Sequence, residues 1–347
     1  GLTSLALAKL LVNKGIKVDI FSEKKNKEIN RTQTLGISKS NIDFFNKNIL
    51  NVEKFLWNID KIEIFSENLK NEKLLNFENN QSLFSVIKNK ELYNYLFKDL
   101  KKNKLFQIKN NIKFNSLIKN NYKLIFNCDI SHPISKKFFY KKIDKDYKSY
   151  AYITIIEHQK ITNNIASQTF TKKGPLAFLP ISKTETSVVY SVKGNENINF
   201  ENLIKKYNRR YEISKIKKFT SIPIKSSSLR SYYHKNILAF GDLLHKLHPH
   251  AGQGFNMTIR DIKKIHELIE FKNQHGLDLD SSICVDFEKN SKSNNYLFSN
   301  GIDLIYEFFN LENKLNTNVI SKSVKFLGKN EIIKNFFIRS ADNGIII

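Results

Sequence analysis

Residues 241–261 read GDLLHKLHPHAGQGFNMTIRD, and the fold turns on how this stretch is understood. Asp242, His245, His248 and His250 supply enough ligands for zinc or a non-haem metal. Pro249, however, breaks any helix between the histidines, and no second cluster of carboxylates or cysteines stands elsewhere in the chain. The alternative is a cofactor cradle. A short apolar strand, NILAF at 236–240, would deliver Gly241 and Asp242 at its carboxyl end, where α/β sheets bind ligands. Gly252, Gln253 and Gly254 would then lead into the helix NMTIRDIKKIHELIE, whose first N–H groups and positive dipole end suit a negatively charged ring. The second reading accounts for more positions and leaves no metal expected.

Working outward, GLTSLALAKLLVNKGIKVDIFSEKK at 1–25 reads as a helix stopped at Asn13–Gly15, then a buried strand ending at Glu23. In a dinucleotide-binding βαβ unit a glycine-rich turn opens the helix, and an acid about 20 residues on binds the ribose. Gly1 fits the last glycine of such a turn and Glu23 the acid, 22 positions later, with the first strand and earlier glycines missing. Read alone, the segment is equally an ordinary helix and strand.

The remaining pattern is mixed. Short strands are expected over 62–77, a strand-to-helix join over 83–102, and a strand at YKLIFNC, 122–128. Antiparallel strands are expected between Ser149 and Val192, with Gly174-Pro175 marking a turn. ENLIKKYNRRYEISKI at 201–216 reads as helical, and from about Asp280 the chain reads as helices alone. Among these, Tyr306, Phe308 and Phe309 read as helix-packing core. The expected fold class is α/β: a Rossmann-like layer lacking its first strand, an inserted mixed or antiparallel β-sheet, and C-terminal helices.

Composition narrows the function. A chain of 347 residues, 41% of them hydrophobic, can bury a sizeable core. Its two cysteines, Cys128 and Cys284, cannot build a disulfide framework, which suits a reducing cytoplasm. The net charge of +24 invites nucleic acid, but only six of the 57 basic residues are arginine and the lysines are scattered, so no nucleic-acid partner is expected. Diffuse positive charge suits an anionic membrane surface better.

The pattern Gly-Asp-x-x-His, Pro, Gly-Gln-Gly, Asn, Asp resembles the second FAD fingerprint of the para-hydroxybenzoate-hydroxylase-like flavin monooxygenases. The Ala-Gly-Gln-Gly variant is similar to that of the ubiquinone-biosynthesis hydroxylases. Gly1-Leu2-Thr3, Glu23, Arg31 in RTQTLGIS, SVIKNKEL at 85–92 with Lys90, GPLAFLPIS at 174–182 and FFIRSADNG at 336–344 resemble family segments in family order. Departures are Leu243 and Leu244 after Gly-Asp, Thr258 for a helix glycine, and Cys128-Asp129-Ile130 where the family has Ala-Asp-Gly. The resemblance implies FAD held by Gly1, Glu23, Arg31 and Asp242, with Pro249, Gly252, Gln253, Gly254, Phe255 and Asn256 bordering the flavin ring. It implies a division into cofactor segments 1–55, 89–140 and 231–285, substrate segments 56–88 and 141–230, and helices 286–347. It implies hydroxylation of a prenylated phenol or quinone precursor by O2 through a C4a-hydroperoxyflavin, with NAD(P)H as reductant and no assigned catalytic base. Other ubiquinone-biosynthesis proteins and the cytoplasmic face of the inner membrane are the implied partners. A prenyl-chain reductase, or a degenerate non-catalytic flavoprotein fold that scaffolds a biosynthetic complex, are the rival readings.

Overall fold

Helix α1 (Leu2–Asn13) buries Leu5, Ala6, Leu7, Ala8, Leu10, Leu11 and Val12, too many sides for a surface helix, so other elements must enclose it. Gly15, at φ 75°, turns the chain out of the helix into β1 (Val18–Ser22). The computed structural model describes residues 1–22, 33–78, 82–110, 122–194, 198–247, 253–315 and 317–344; Glu23, Arg31, His248, Pro249, His250 and Gly252 lie outside them.

The chain continues through β2 (Thr34–Ser38), α2 (Lys39–Asn48), β3 (Trp57–Ile59), β4 (Lys61–Ser66), β5 (Glu72–Glu78), β6 (Phe84–Lys88), α3 (Asn89–Leu100), β7 (Phe106–Asn110), β8 (Ile125–Asn127) and α4 (Pro133–Phe138). Next come β9 (Lys142–His158), β10 (Ile165–Thr171), β11 (Gly174–Pro180), β12 (Glu185–Lys193), α5 (Phe200–Tyr207), β13 (Ile213–Ile216), β14 (Thr220–Leu229), β15 (Tyr233–His234), β16 (Ile237–Ala239) and β17 (His245–Lys246). Four helices finish it: α6 (Gln253–Gln274), α7 (Ser282–Leu315), α8 (Val319–Leu327) and α9 (Glu331–Asn343).

The Rossmann-like layer contains two parallel strand pairs, β1 with β7 and β8 with β16. Among the described residues these pairs are not hydrogen-bonded to each other. Val18 and Ile20 from one pair, Ile125 and Asn127 from the other, and Leu5 and Ala8 of α1 line a common cavity. This is the layer expected from the sequence, with no first strand among the described residues. Its core runs from α1 through β16 to Ile259, Ile262, Ile265 and Ile269 of α6 and Ile283 and Phe287 of α7.

The inserted sheet has nine strands in the order β17-β14-β9-β12-β11-β10-β4-β5, with β13 also on β9. All contacts are antiparallel except β10 with β4, so the sheet is mixed, as the alternating sequence predicts. One face packs Tyr152, Leu176, Phe178, Val188 and Tyr190 against Phe200, Ile204 and Tyr207 of α5. Two sequence expectations change here. Gly174-Pro175 is not the turn: Lys172 and Lys173 make it, and Gly174 opens β11. Nor is 201–216 one helix, because α5 ends at Tyr207 and Ile213–Ile216 pairs with β9. Asn208 caps that break, its side-chain Nδ2 donating to the Tyr211 carbonyl at 2.6 Å.

Candidate functional site

A single cavity of about 3400 Å³ joins the two layers. That is several times the roughly 300–1,000 Å³ of an ordinary small-molecule site, enough for a large cofactor and a substrate together. At one end, the first turns of two helices meet. Gly1, Leu2, Thr3 and Ser4 open α1, and Gln253, Gly254 and Phe255 open α6; all seven line the cavity. The first N–H groups of a helix have no intrahelical acceptor, so both helix starts present donors and partial positive charge. No acidic residue stands in the first turn of either helix to absorb that charge. A side-chain carbon added at Gly1 or Gly254 would meet nothing within 4 Å, so both glycines border open space. The chain's own atoms therefore leave the room and the donors that a dinucleotide needs.

Gly241 sets the third part of this end. Its φ of 62° and its closeness to α1, where an added Cβ would lie 2.7 Å from Thr3 Cγ2, both require glycine. The tight contact holds the 241–243 turn against the start of α1 and leaves Asp242 exposed on the cavity wall. Leu243 and Leu244, 6% and 0% exposed, turn the other way into the core and do not line the cavity. The leucines that replace small residues thus take nothing from the cavity. Thr258, buried, hydrogen-bonds the Gly254 carbonyl at 3.3 Å.

Asn256 lines the same end, but its amide works as a strut. Its Oδ1 accepts from Ser38 N–H at 2.9 Å and Asn41 Nδ2 at 3.0 Å, and its Nδ2 donates to the Gly36 carbonyl at 2.9 Å. This ties the start of α6 to the β2–α2 junction. Asp342 of α9 reaches that junction too, accepting from Ser40 N–H at 2.9 Å. Gln253 accepts from Arg260 Nη2 at 3.1 Å, and the Arg260 guanidinium lies 4.2 Å from the centre of the Phe298 ring. Burial pushes Arg260 down to about 10, against the pull of Asp261 and Asp342.

The histidines divide. His245 Nε2 contacts the Asp261 carboxylate, both side chains being buried, and Asn295 Nδ2 donates to the other Asp261 oxygen at 3.1 Å. His245 thus joins β17 to α6 and α7. His248 and His250, with Pro249 and Gly252, lie outside the described residues, as do Glu23 and Arg31. Cys128 borders the cavity, and burial pushes its thiol up to about 11, so it is no nucleophile at neutral pH. Lys90, in the first turn of α3, lines the cavity as well.

Across from the helix starts lies the other face of the inserted sheet. Ile64, Gln168, Ala177, Val189 and Ile153 are successive register partners on β4, β10, β11, β12 and β9, and all five line the cavity. Helices α7 to α9 close it with apolar residues such as Phe309, Ile320, Val324 and Ile338. Phe309 stacks on Phe170 with ring centroids 3.7 Å apart. Gln168 is the one polar side chain in that row and has no hydrogen-bond partner among the described residues. Sequence reasoning passed over it, although the alternation of IASQTFT puts it on the same face as Ala166 and Phe170. A second cluster it missed is Asp19, which accepts from Tyr122 Oη at 2.5 Å and Lys109 Nζ at 2.6 Å on the cavity wall.

No protein-family model matches the chain. Among curated proteins it is 25% identical over 126 residues to the mitochondrial ubiquinone biosynthesis monooxygenase COQ6 of Schizosaccharomyces pombe, a match covering 36% of this chain and 26% of that protein. The chain spans less than half the length of the curated relatives it matches. Among solved structures, the p-nitrophenol 4-monooxygenase PnpA of Pseudomonas putida superposes with a TM-score of 0.76 at 10% identity, covering 99% of this chain and 96% of that one. HpxO of Klebsiella pneumoniae, solved with FAD and uric acid, gives 0.72 at 10% identity, over 98% and 94%. The chain therefore has the fold of these monooxygenases, and the similarities fall in the class that the sequence resemblance named. Among the described residues no helix is long and apolar enough to cross a membrane.

Proposed function

We propose that this chain is an FAD-dependent monooxygenase that hydroxylates the aromatic ring of a prenylated ubiquinone precursor, with O2 as co-substrate and NAD(P)H as reductant. The observation that carries the proposal is the single cavity. It brings two helix starts and Asp242 together with an apolar sheet face and a roof of apolar helix residues. The similarity to ubiquinone hydroxylases supports the substrate class, and the shared fold supports the cofactor.

In this reading segments 1–55, 89–140 and 231–285 hold the cofactor, 56–88 and 141–230 present the substrate, and 286–347 close the cavity. The α1 start takes the pyrophosphate, Asp242 the ribityl hydroxyls, and the backbone of Gln253 to Asn256 the flavin ring; Glu23, Arg31, Pro249 and Gly252 join them by resemblance. Bound FAD supplies the oxygen-transfer chemistry. The chain's own part is to hold the ring against the flavin end of the cavity and keep water out, since a wet site wastes reductant. A phenol ring is electron-rich enough that no strong base is required, and none is assigned. Leu243 and Leu244, departures from the family pattern, are directed into the core, so they do not count towards a cofactor-free scaffold.

The test is product mass. The FAD-loaded protein, given NADPH, O2 and a prenylated phenol lacking one ring hydroxyl, is expected to yield a product heavier by one oxygen atom. FAD-loaded protein that consumes NADPH and makes only peroxide across a panel of such phenols would refute the hydroxylase reading.

A further inference from the structure

Gln253 and Arg260 stand two turns apart on the same helix, α6, about 10 Å along its axis. Arg260 Nη2 donates to Gln253 Oε1 at 3.1 Å, and among the described residues this is the guanidinium's single hydrogen bond. The bond joins no two elements, and the helix between its ends already carries a backbone ladder, so its worth to the fold is small. The guanidinium is also costly where it stands. Its Nε is buried without an acceptor, and an unmet buried donor opposes folding. The Phe298 ring, centred 4.2 Å away, and the charges of Asp261 and Asp342 hold it there.

What the bond does fix is the direction of an amide. A guanidinium donates and cannot accept, so the Gln253 atom that faces it is the oxygen. The amino group, Nε2, lies on the other side of the amide, and among the described residues nothing accepts from it. Gln253 lines the cavity and Arg260 does not. The open donors therefore belong to the side chain that borders the cavity, and the charge that orients them stands one layer behind.

We infer that Arg260 is a positioning residue: it holds the Gln253 side chain with its amino group open to the cavity, to donate to an oxygen of the bound group. That oxygen is a carbonyl or an anion, an acceptor with no proton of its own to offer. With the occupants proposed above, on which this choice of ligand rests, it is a ring carbonyl of FAD or the ring oxygen of the phenolic substrate. The direction of the amide does not depend on that reading.

The deciding variant is Gln253→Glu. A glutamate keeps one oxygen towards Arg260, now as an ion pair, while its second oxygen replaces the amino group and cannot donate. Were the pair only a brace, this variant would match or exceed wild type in every measurement. The expected result is a denaturation midpoint no lower than that of wild type, with the FAD dissociation constant, read by flavin fluorescence, raised about tenfold or more. If the acceptor is the substrate's oxygen, FAD affinity stays and KM for the phenol rises by that factor instead; either rise supports the inference. Arg260→Lys keeps the charge but loses the fork. It should weaken the same binding step in otherwise wild-type protein and change nothing further in a Gln253→Leu background. Folded Gln253→Glu protein with wild-type FAD affinity and wild-type KM would overturn the inference. So would an Arg260→Lys effect that survives undiminished in the Gln253→Leu background, since Arg260 would then act without the amide. A raised FAD dissociation constant in the variant, with no hydroxylated product from wild type, would leave the inference standing and count against the hydroxylase reading alone.

Discussion

The cavity end proposed for the cofactor and the end proposed for the substrate are built on different principles. The substrate wall is a side-chain grid: Ile64, Gln168, Ala177, Val189 and Ile153 stand in register on five paired strands, so each position is fixed by ladder hydrogen bonds on both sides. The cofactor wall is backbone at three chain junctions, Gly1–Ser4, Gly241–Asp242 and Gln253–Phe255, brought together by close packing at Gly241 and by the Asn256 strut. A grid selects its ligand through side chains and resists distortion; a set of junctions selects through N–H groups and depends on a few close approaches. Substitutions should therefore separate the two ends.

The largest effect is expected in the grid itself. Gly174, at φ 142°, would place an added Cβ 1.9 Å from the Ser191 carbonyl oxygen, a rigid backbone atom in the neighbouring strand. Gly174→Ala should cost ~4 kcal/mol or more by denaturant titration, because both strain and overlap oppose it. Gly241→Val should come next, at about 3 kcal/mol, since Thr3 is a side chain that can give a little. The sharper contrast is functional: Gly241→Val should lose FAD from protein that is still folded, whereas Gly174→Ala should lose both together.

Gln168→Leu should leave FAD binding unchanged and raise KM for the phenolic substrate about tenfold, the loss of one hydrogen bond to a buried headgroup. An unchanged KM would mean that the headgroup sits elsewhere in the grid. The smallest effect concerns pH. Burial raises the Asp19 carboxyl, but hydrogen bonds from Lys109 and Tyr122 outweigh it and hold the group below its ordinary 3.8. A depressed folded value means that the stabilisation is complete above that ordinary value and is lost as the pH falls through the folded one. Wild type should thus lose part of its advantage over Asp19→Asn when denaturation is repeated at about pH 3 instead of about pH 6.

Legibility in the sequence followed the same division. The inserted sheet was readable because YAYITII and TSVVYSV alternate with the strand period, and α1 because Asn13 to Gly15 end a run rich in leucine and alanine. The turn at Lys172-Lys173 was misplaced onto Gly174-Pro175, because glycine and proline signal turns while here Gly174 answers a close interstrand contact. The break between α5 and β13 was hidden because the Asn208 cap looks like any polar helix residue. At the candidate site, Asp242 and Gln253 to Asn256 were named from the sequence, and the structure brings them to one end of the cavity. Gln168 was not, since one amide in a strand carries no motif; only its place in the row of five reveals it. The inward turn of Leu243 and Leu244 likewise depends on tertiary packing that residue type does not announce.

The central claim is that the junctions around Gly241 hold FAD, and the visible absorption spectrum of the purified protein tests it most directly. The account predicts flavin bands that stay with the protein through gel filtration at about one FAD per chain, and that Gly241→Val abolishes. Protein that carries no flavin and takes up none from added FAD would contradict it.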